Sequence, residues 1–237
     1  MQRRAFLGLS LAVLASACSR DGAPDRPAAS AAASGGGSAP GGAGAAPSAT
    51  RPRVVALGDS LTAGLGLAPE QAWPSLVQQK IDQAGLGMEV VNAGVSGDTT
   101  AGGLRRLDWA LDGDVRVLVL ELGANDGLRG LPAAQMRDNL SQMIRTAKDR
   151  KIAVLLCGME APPNFGPQYT REFRQVYRDL ADEHDVAFLP FFLDGVAGDA
   201  ALNQSDGIHP NEEGTRRVAN LVWRALQPLL TRALATS

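Results

Sequence analysis

The chain contains a serine, a histidine and an aspartate whose settings suit hydrolytic chemistry. Ser60 follows the apolar run Val54–Leu57 in a turn of small residues, where a nucleophile can be exposed and still be held rigidly. The chain has only 2 histidines, and one of them, His209, comes three residues after Asp206. That spacing lets an acid and a base project from one loop. Together these residues are the parts of a Ser-His-Asp hydrolase.

The elements that must position these residues alternate regularly along the chain. Apolar runs that predict strands are Val54–Leu57, Met88–Asn92, Val115–Leu120, Ile152–Cys157 and Val186–Leu189. Amphipathic stretches that predict helices are Gln71–Ala84, Pro132–Arg150, Tyr169–Glu183 and Asn211–Leu234. Pro132 and Pro210 stand where a helix would begin, a position that proline tolerates. The alternation predicts an α/β domain with a parallel sheet.

The polar candidates all lie just beyond the carboxyl ends of predicted strands. Ser60 follows the first strand, Gly94 the second and Asn125 the third, while Asp206 and His209 lie in the loop after the fifth. Open α/β sheets build their sites along this edge. The sequence therefore predicts a single site there.

Four sequence blocks resemble the SGNH hydrolase superfamily, also called GDSL esterases. The blocks are Gly58-Asp59-Ser60-Leu61, Gly94, Gly123-Ala124-Asn125-Asp126 and Asp206-Gly207-Ile208-His209-Pro210, in family order and spacing between Arg53 and about Leu230. The segments Val91–Thr99 and Gly158–Asn164 resemble the arylesterase, thioesterase and lysophospholipase branch. The resemblance implies a three-layer α/β/α sandwich of the flavodoxin-like kind, with a five-stranded parallel sheet.

The resemblance also implies a role for each residue. Ser60 would be the nucleophile, His209 the general base, and Asp206 the group that orients the histidine. The backbone N–H groups of Ser60 and Gly94 and the side-chain amide of Asn125 would form the oxyanion hole. A glycine at 94 would let that N–H face the site with no Cβ in the way. The implied reaction is hydrolysis of carboxylic esters, thioesters or lysophospholipids through an acyl-enzyme, without a cofactor.

Each polar residue also has a purely structural explanation. Gly-Asp-Ser is an ordinary turn, His209 before a proline can mark a helix start, and Asn125 can be a turn residue. Their order along one sheet edge favours catalysis. Asp59 and Asp126 are expected to accept hydrogen bonds from loop N–H groups. His184 lies among charges at the end of a predicted helix and is expected to be a solvated surface residue.

Other reactive groups give weaker signals. Ser96 lacks the glycine at 98 that a Gly-x-Ser-x-Gly elbow needs, and Ser205 is too close in sequence to the histidine. Cys157 lies in an apolar run and is expected to be a buried thiol. Two distant histidines and one internal cysteine do not make a zinc site, and no phosphate-binding loop is present.

The substrate is less well defined than the chemistry. The loop Gly158–Thr170 either lines an acyl pocket or is a proline-rich surface connection, and Phe191-Phe192 is either a second pocket wall or part of the core. Two other functions stay open. One is a carbohydrate O-acetyl esterase, and the other is a non-catalytic surface lipoprotein that uses the fold for binding.

Residues 1–17 predict an export signal. Arg3-Arg4 form a positive n-region, and the apolar stretch Ala5–Val13 is too short to span a bilayer. The double arginine also resembles a twin-arginine signal, so the export route stays open. Leu14–Cys18 resembles a bacterial lipobox, which predicts that Cys18 becomes the lipidated first residue of the mature protein. The alternative is an Ala-x-Ala cleavage site that leaves a free cysteine.

Residues 18–51 predict a lipidated cysteine followed by a tether, and residues 52–237 predict the hydrolase domain. The segment Ser19–Arg51 is rich in Ala, Gly, Ser and Pro, and a chain of this kind has a mean reach of about 30 Å. The residue after the cysteine is Ser19 rather than the aspartate that is associated with inner-membrane retention. The expected location is therefore the bacterial periplasm or outer membrane. The formal net charge of −2, without a basic stripe, argues against a nucleic-acid partner.

Overall fold

The computed structural model describes residues 51–235. The five strands are β1 (Arg53–Gly58), β2 (Glu89–Gly94), β3 (Val115–Glu121), β4 (Ala153–Cys157) and β5 (Ala187–Leu189). They form one parallel sheet in the order β2-β1-β3-β4-β5, which confirms the predicted fold class. The predicted export signal 1–17, Cys18 and the tether up to residue 50 lie outside the described residues.

The helices are α1 (Ser60–Ala63), α2 (Trp73–Gln83), α3 (Thr100–Arg105), α4 (Leu107–Ala110), α5 (Ala124–Leu128), α6 (Ala133–Asp149), α7 (Gly166–His184) and α8 (Glu212–Ala235). The four long helices match the predicted amphipathic stretches closely. The largest difference is that α7 begins at Gly166 rather than Tyr169, because a proline in its first turn suits the start of a helix. Pro132 caps α6, as its position predicted.

The helices pack on the two faces of the sheet. Helices α2 and α8 pack together on one side, and α3, α6 and α7 pack on the other. This arrangement follows from right-handed crossovers between parallel strands. Strand β2 lies on one side of β1, whereas β3, β4 and β5 lie on the other. Because the direction of the crossover reverses after β2, the connecting helices before and after β2 cover opposite faces of the sheet. Within residues 51–235 no helix is long and apolar enough to cross a membrane.

The core explains why the strands read as nearly continuous apolar runs. A sheet covered on both faces has no solvated side, so residues such as Leu57, Leu118 and Leu156 are fully buried. Cys157 is also fully buried and free, as predicted. Phe192 belongs to this core and packs edge-on against Trp73, with ring centroids 5.9 Å apart.

Candidate active site

The turn between β1 and α1 presents Ser60. Asp59 caps α1 by accepting the N–H of Leu61 on Oδ1 at 3.0 Å. Gly58 is required here, because a Cβ at this position would lie 2.1 Å from Thr62 Oγ1 and 2.5 Å from a carboxylate oxygen of Glu121. The Gly-Asp-Ser sequence is therefore dictated by a close approach and a helix cap, which together leave Ser60 at the sheet edge.

Ser60, His209 and Asp206 form one continuous hydrogen-bonded chain. Ser60 Oγ lies 2.8 Å from His209 Nε2, and His209 Nδ1 lies 2.7 Å from Asp206 Oδ2. The other carboxylate oxygen of Asp206 accepts the backbone N–H groups of His209 and Ile208, at 3.0 and 2.9 Å. These backbone bonds, and then the bond from the His209 ring, lower the pKa of Asp206 to about 2. Because Asp206 is ionised, Nδ1 donates to it and Nε2 is left to accept the Ser60 proton.

Asn125, in the first turn of α5, is held by the residue before the serine. Its side-chain amide donates to Asp59 Oδ2 at 3.0 Å, and Asn125 lines the cavity beside Ser60. Asp59 is 1% exposed, and this burial raises its pKa to about 6 against the opposing hydrogen bonds from Leu61 and Asn125. Asp126 accepts the N–H and hydroxyl of Thr100, so both acids are acceptors as predicted.

The structure contradicts the prediction for Gly94. Its N–H donates to Asn92 Oδ1 at 3.0 Å, and Gly94 does not line the cavity. The next N–H along the chain, that of Val95, points the other way and bonds Gly58 O of β1. A glycine is needed at 94 because a Cβ would lie 2.2 Å from the backbone nitrogen of Ala63 in α1. Gly94 therefore serves packing between β2 and α1.

Gly97 lies where Gly94 was expected. It lines the cavity together with Ser96, in a turn closed by a bond from Asp98 N–H to Val95 O at 3.1 Å. Its φ of 83° belongs to the left-handed region that favours glycine. Within residues 51–235 no group accepts the N–H of Gly97.

A cavity of about 580 Å³ opens in front of Ser60 and is mostly apolar. Its apolar lining is Leu61, Leu65, Ala124, Leu128, Met159, Ala161, Pro162, Pro163, Phe191, Leu193, Ala197 and Ile208. The loop after β4 thus lines the cavity rather than serving only as a connection. Phe191 is a second wall, whereas Phe192 is core. Leu65, Leu128 and Ile208 are each about half exposed at the cavity rim.

Three residues important to this geometry were not found from the sequence. Glu121 is fully buried at the end of β3, where Oε2 accepts the Thr62 hydroxyl at 2.7 Å, and burial raises its pKa well above the usual range. Arg106 and Gln204 each bond backbone carbonyl groups in distant segments. For Glu121, one sequence signal was available, because an acidic residue ends an otherwise apolar strand. For Arg106 and Gln204, no sequence pattern reveals a hydrogen bond to a distant backbone carbonyl.

The competing candidates do not join the triad. Ser96 lines the cavity, but the serine bonded to His209 is Ser60, and Ser205 is exposed. The expectation for His184 was wrong: its side chain is 11% exposed, and Nε2 lies 2.9 Å from Ser141 Oγ. The part of the chain that the structure describes holds no cluster of three or more side chains suited to a metal ion.

A parallel α/β sheet with a Ser-His-Asp chain and an apolar cavity at its carboxyl edge defines a serine hydrolase acting on acyl substrates. Residues 56–217 match the GDSL-like lipase/acylhydrolase family, and the chain belongs to this family of ester-hydrolysing enzymes. The sequence resemblance to SGNH hydrolases is thereby confirmed.

Several relatives are similar over most of their length. The chain is 44% identical over 178 residues to esterase TesA of Pseudomonas aeruginosa, covering 75% of this chain and 89% of that protein. It is 41% identical to an arylesterase of Vibrio mimicus, covering 73% of this chain and 88% of that protein. It is 39% identical to thioesterase 1/protease 1/lysophospholipase L1 of Escherichia coli K12, covering 75% and 84%.

Solved structures give the same picture. The crystal structure of TesA has a TM-score of 0.72 at 43% identity, covering 75% of this chain and 99% of that one. The SGNH-hydrolase family esterase AlinE4 has a TM-score of 0.64 at 42% identity, covering 78% and 97%.

Proposed function

We propose that the protein hydrolyses carboxylic esters through a covalent acyl-enzyme on Ser60. The observation that carries this proposal is the 2.8 Å approach of Ser60 Oγ to His209 Nε2, in a chain that ends on an ionised Asp206. In the first half-reaction, His209 takes the serine proton as Oγ attacks the ester carbonyl carbon, and then gives that proton to the departing alcohol oxygen. In the second, His209 takes a proton from water as the water oxygen attacks the acyl carbonyl carbon, and it then returns that proton to Ser60 Oγ as the bond from the acyl carbon to Oγ breaks and the acid departs.

The proposed oxyanion hole has three donors: the N–H of Ser60, the N–H of Gly97 and the amide of Asn125. Gly97 replaces Gly94 here because its N–H has no acceptor among the described residues and it lines the cavity. One amide hydrogen of Asn125 is used by Asp59, which orients the side chain and leaves the other hydrogen free. Removing one donor of this kind costs about 10²–10³ in rate.

The cavity supports an aliphatic or aromatic acyl group as the preferred substrate part. Its volume of about 580 Å³ and its apolar lining exceed what an acetyl group needs, which favours a general esterase over a carbohydrate O-acetyl esterase. The relatives named esterase, arylesterase and thioesterase/lysophospholipase fit the same choice, with thioesters and lysophospholipids as further substrates.

The test is hydrolysis of p-nitrophenyl esters from acetyl to palmitoyl by the wild type and by Ser60→Ala. Activity lost in the variant and broad over short and medium chains supports the proposal. Activity confined to acetyl supports the sugar deacetylase. If the protein hydrolyses no ester and a fluorophosphonate probe fails to label it, a non-catalytic binding lipoprotein is the better description.

The protein is further proposed to be an exported lipoprotein of the periplasm or outer membrane, anchored through Cys18. The support is the sequence alone: a positive n-region, a short apolar stretch and a lipobox-like Leu14–Cys18. A Cys18→Ser variant should move from the membrane fraction to the soluble periplasmic fraction. Retention of that variant in membranes would point to a different anchor.

A further inference from the structure

Arg106 makes three hydrogen bonds that meet at the end of the paired strands β1 and β2. Its Nε donates to Asp98 Oδ2 at 2.6 Å, Nη1 donates to Ala93 O at 2.6 Å, and Nη2 donates to Gly58 O at 2.8 Å. The side chain is 17% exposed and does not line the cavity. Arg106 therefore lies behind the site and acts on it only through other residues.

The place of these bonds matters because the two chains diverge there. Gly58 and Gly94 are the last paired residues of β1 and β2, and Gly58 O already accepts the N–H of Val95. Beyond this point one chain turns into α1 and presents Ser60, while the other forms the turn that carries Gly97. No further strand pairing holds these two branches at a fixed separation.

The Arg106 guanidinium spans the gap where strand pairing stops. Gly58 lies two residues before Ser60, and Asp98 directly follows Gly97, so the bonded groups adjoin both branches. Asp98 also closes the turn of Gly97 through its own N–H. One planar side chain thus connects the segment of the nucleophile to the segment of the second hole donor.

We propose that Arg106 is a positioning residue that sets the separation between the Ser60 N–H and the Gly97 N–H. The inference rests on the proposed oxyanion hole. Arginine is needed because its planar fork offers several donors in fixed directions, whereas a lysine ammonium is a single point charge. A displacement of about 1 Å at the reacting groups typically lowers a rate about 10²-fold.

The test compares an ester with its thiono analogue, in which sulfur replaces the carbonyl oxygen. Sulfur accepts hydrogen bonds weakly, so the oxo-to-thiono ratio of kcat/KM measures how well the hole is formed. Arg106→Gln and Arg106→Lys should lower kcat for the oxo ester about 10- to 100-fold with little change in KM, and should lower the ratio. The neighbouring exposed Arg105→Gln is the matched control and should match the wild type.

A merely structural role for Arg106 would lower the melting temperature and leave the ratio unchanged, which would overturn the inference. Asp98→Asn weakens the hydrogen bond from Arg106 Nε by changing its acceptor. This variant should lower the ratio, and it tests the inference even if Arg106→Gln fails to fold. Asn125→Ala separates the two proposals. If it leaves the ratio unchanged, the proposed hole is wrong; if it lowers the ratio while the Arg106 and Asp98 variants do not, only the positioning role is wrong.

Discussion

The side-chain amide of Gln204 donates to the backbone carbonyl of Leu65 at 2.7 Å, across 139 residues of sequence. Leu65 lies just beyond α1, which starts at Ser60, and Gln204 begins the loop that carries the acid and the base. The same amide nitrogen donates to Pro210 O at 3.0 Å, and the Gln204 N–H bonds His209 O at 2.8 Å. Gln204 therefore connects the segment that follows Ser60 to the loop that carries Asp206 and His209.

Gln204→Ala removes this connection and is expected to lower kcat about 10-fold, because the Ser60-to-His209 geometry is then less tightly fixed. KM should change little, since Gln204 does not line the cavity. Steady-state kinetics on a p-nitrophenyl ester measures both constants. Gln175→Ala, at an exposed glutamine of α7, is the control, and equal kcat in both variants would contradict the prediction.

Asp206→Asn is expected to lower kcat about 10⁴-fold while leaving the fold intact, because the amide no longer selects the histidine tautomer that accepts from serine. The Asp206 pKa is lowered from 3.8 to about 2, so the carboxylate stabilises the folded state fully above 3.8 and loses that contribution as pH falls towards 2. Circular dichroism between pH 5 and pH 2 measures the loss of folded protein for both the wild type and Asp206→Asn. The wild type should lose more stability over this range than the variant, and a greater loss in the variant would contradict the prediction.

The folded protein is expected to remain stable in the Glu121→Gln variant and to be destabilised in the Glu121→Leu variant. Glu121→Leu leaves the Thr62 hydroxyl and the Asp59 N–H without their acceptor, at a cost of about 1–3 kcal/mol. Burial raises the Glu121 pKa above 4.5, so the protonated acid is favoured in the folded state, and its stabilising contribution is lost as pH rises through the raised value. Glu121→Gln should therefore gain stability relative to the wild type as pH rises. Urea unfolding at several pH values measures the free energy of unfolding of both proteins. A difference between Glu121→Gln and the wild type that stays constant with pH would contradict the prediction.

His184 is expected to make the folded state sensitive to mild acid. Burial lowers its pKa below 6.5, so the stability it supports is complete above 6.5 and is lost as pH falls through the lowered value. His184→Gln should flatten the stability-versus-pH curve in this window. Urea unfolding between pH 7.5 and pH 5 measures the effect. A curve as steep as that of the wild type would assign the acid sensitivity to another group.

The strands and the triad were predictable because their signals are local. A sheet covered on both faces demands apolar runs such as Val115–Leu120, and Asp206 and His209 share one loop at fixed spacing. That Gly97 rather than Gly94 lines the cavity was not predictable in the same way. Gly94 and Gly97 lie in one short stretch, and which N–H faces the cavity depends on the register of β2 against β1. The roles of Arg106 and Gln204 depend on distant backbone carbonyls, for which no residue pattern exists.

Both ends of the described domain lie on the side of the sheet away from the cavity. β1 starts at Arg53, on the amino edge, and the last turns of α8 lie beside Arg116, Lys151 and Ala153, where β3 and β4 begin. A carrier protein, solid support or display scaffold fused at either end would therefore attach behind the enzyme. Such a fusion would leave the mouth of the cavity open to bulk solution, so the domain suits oriented immobilisation through either terminus.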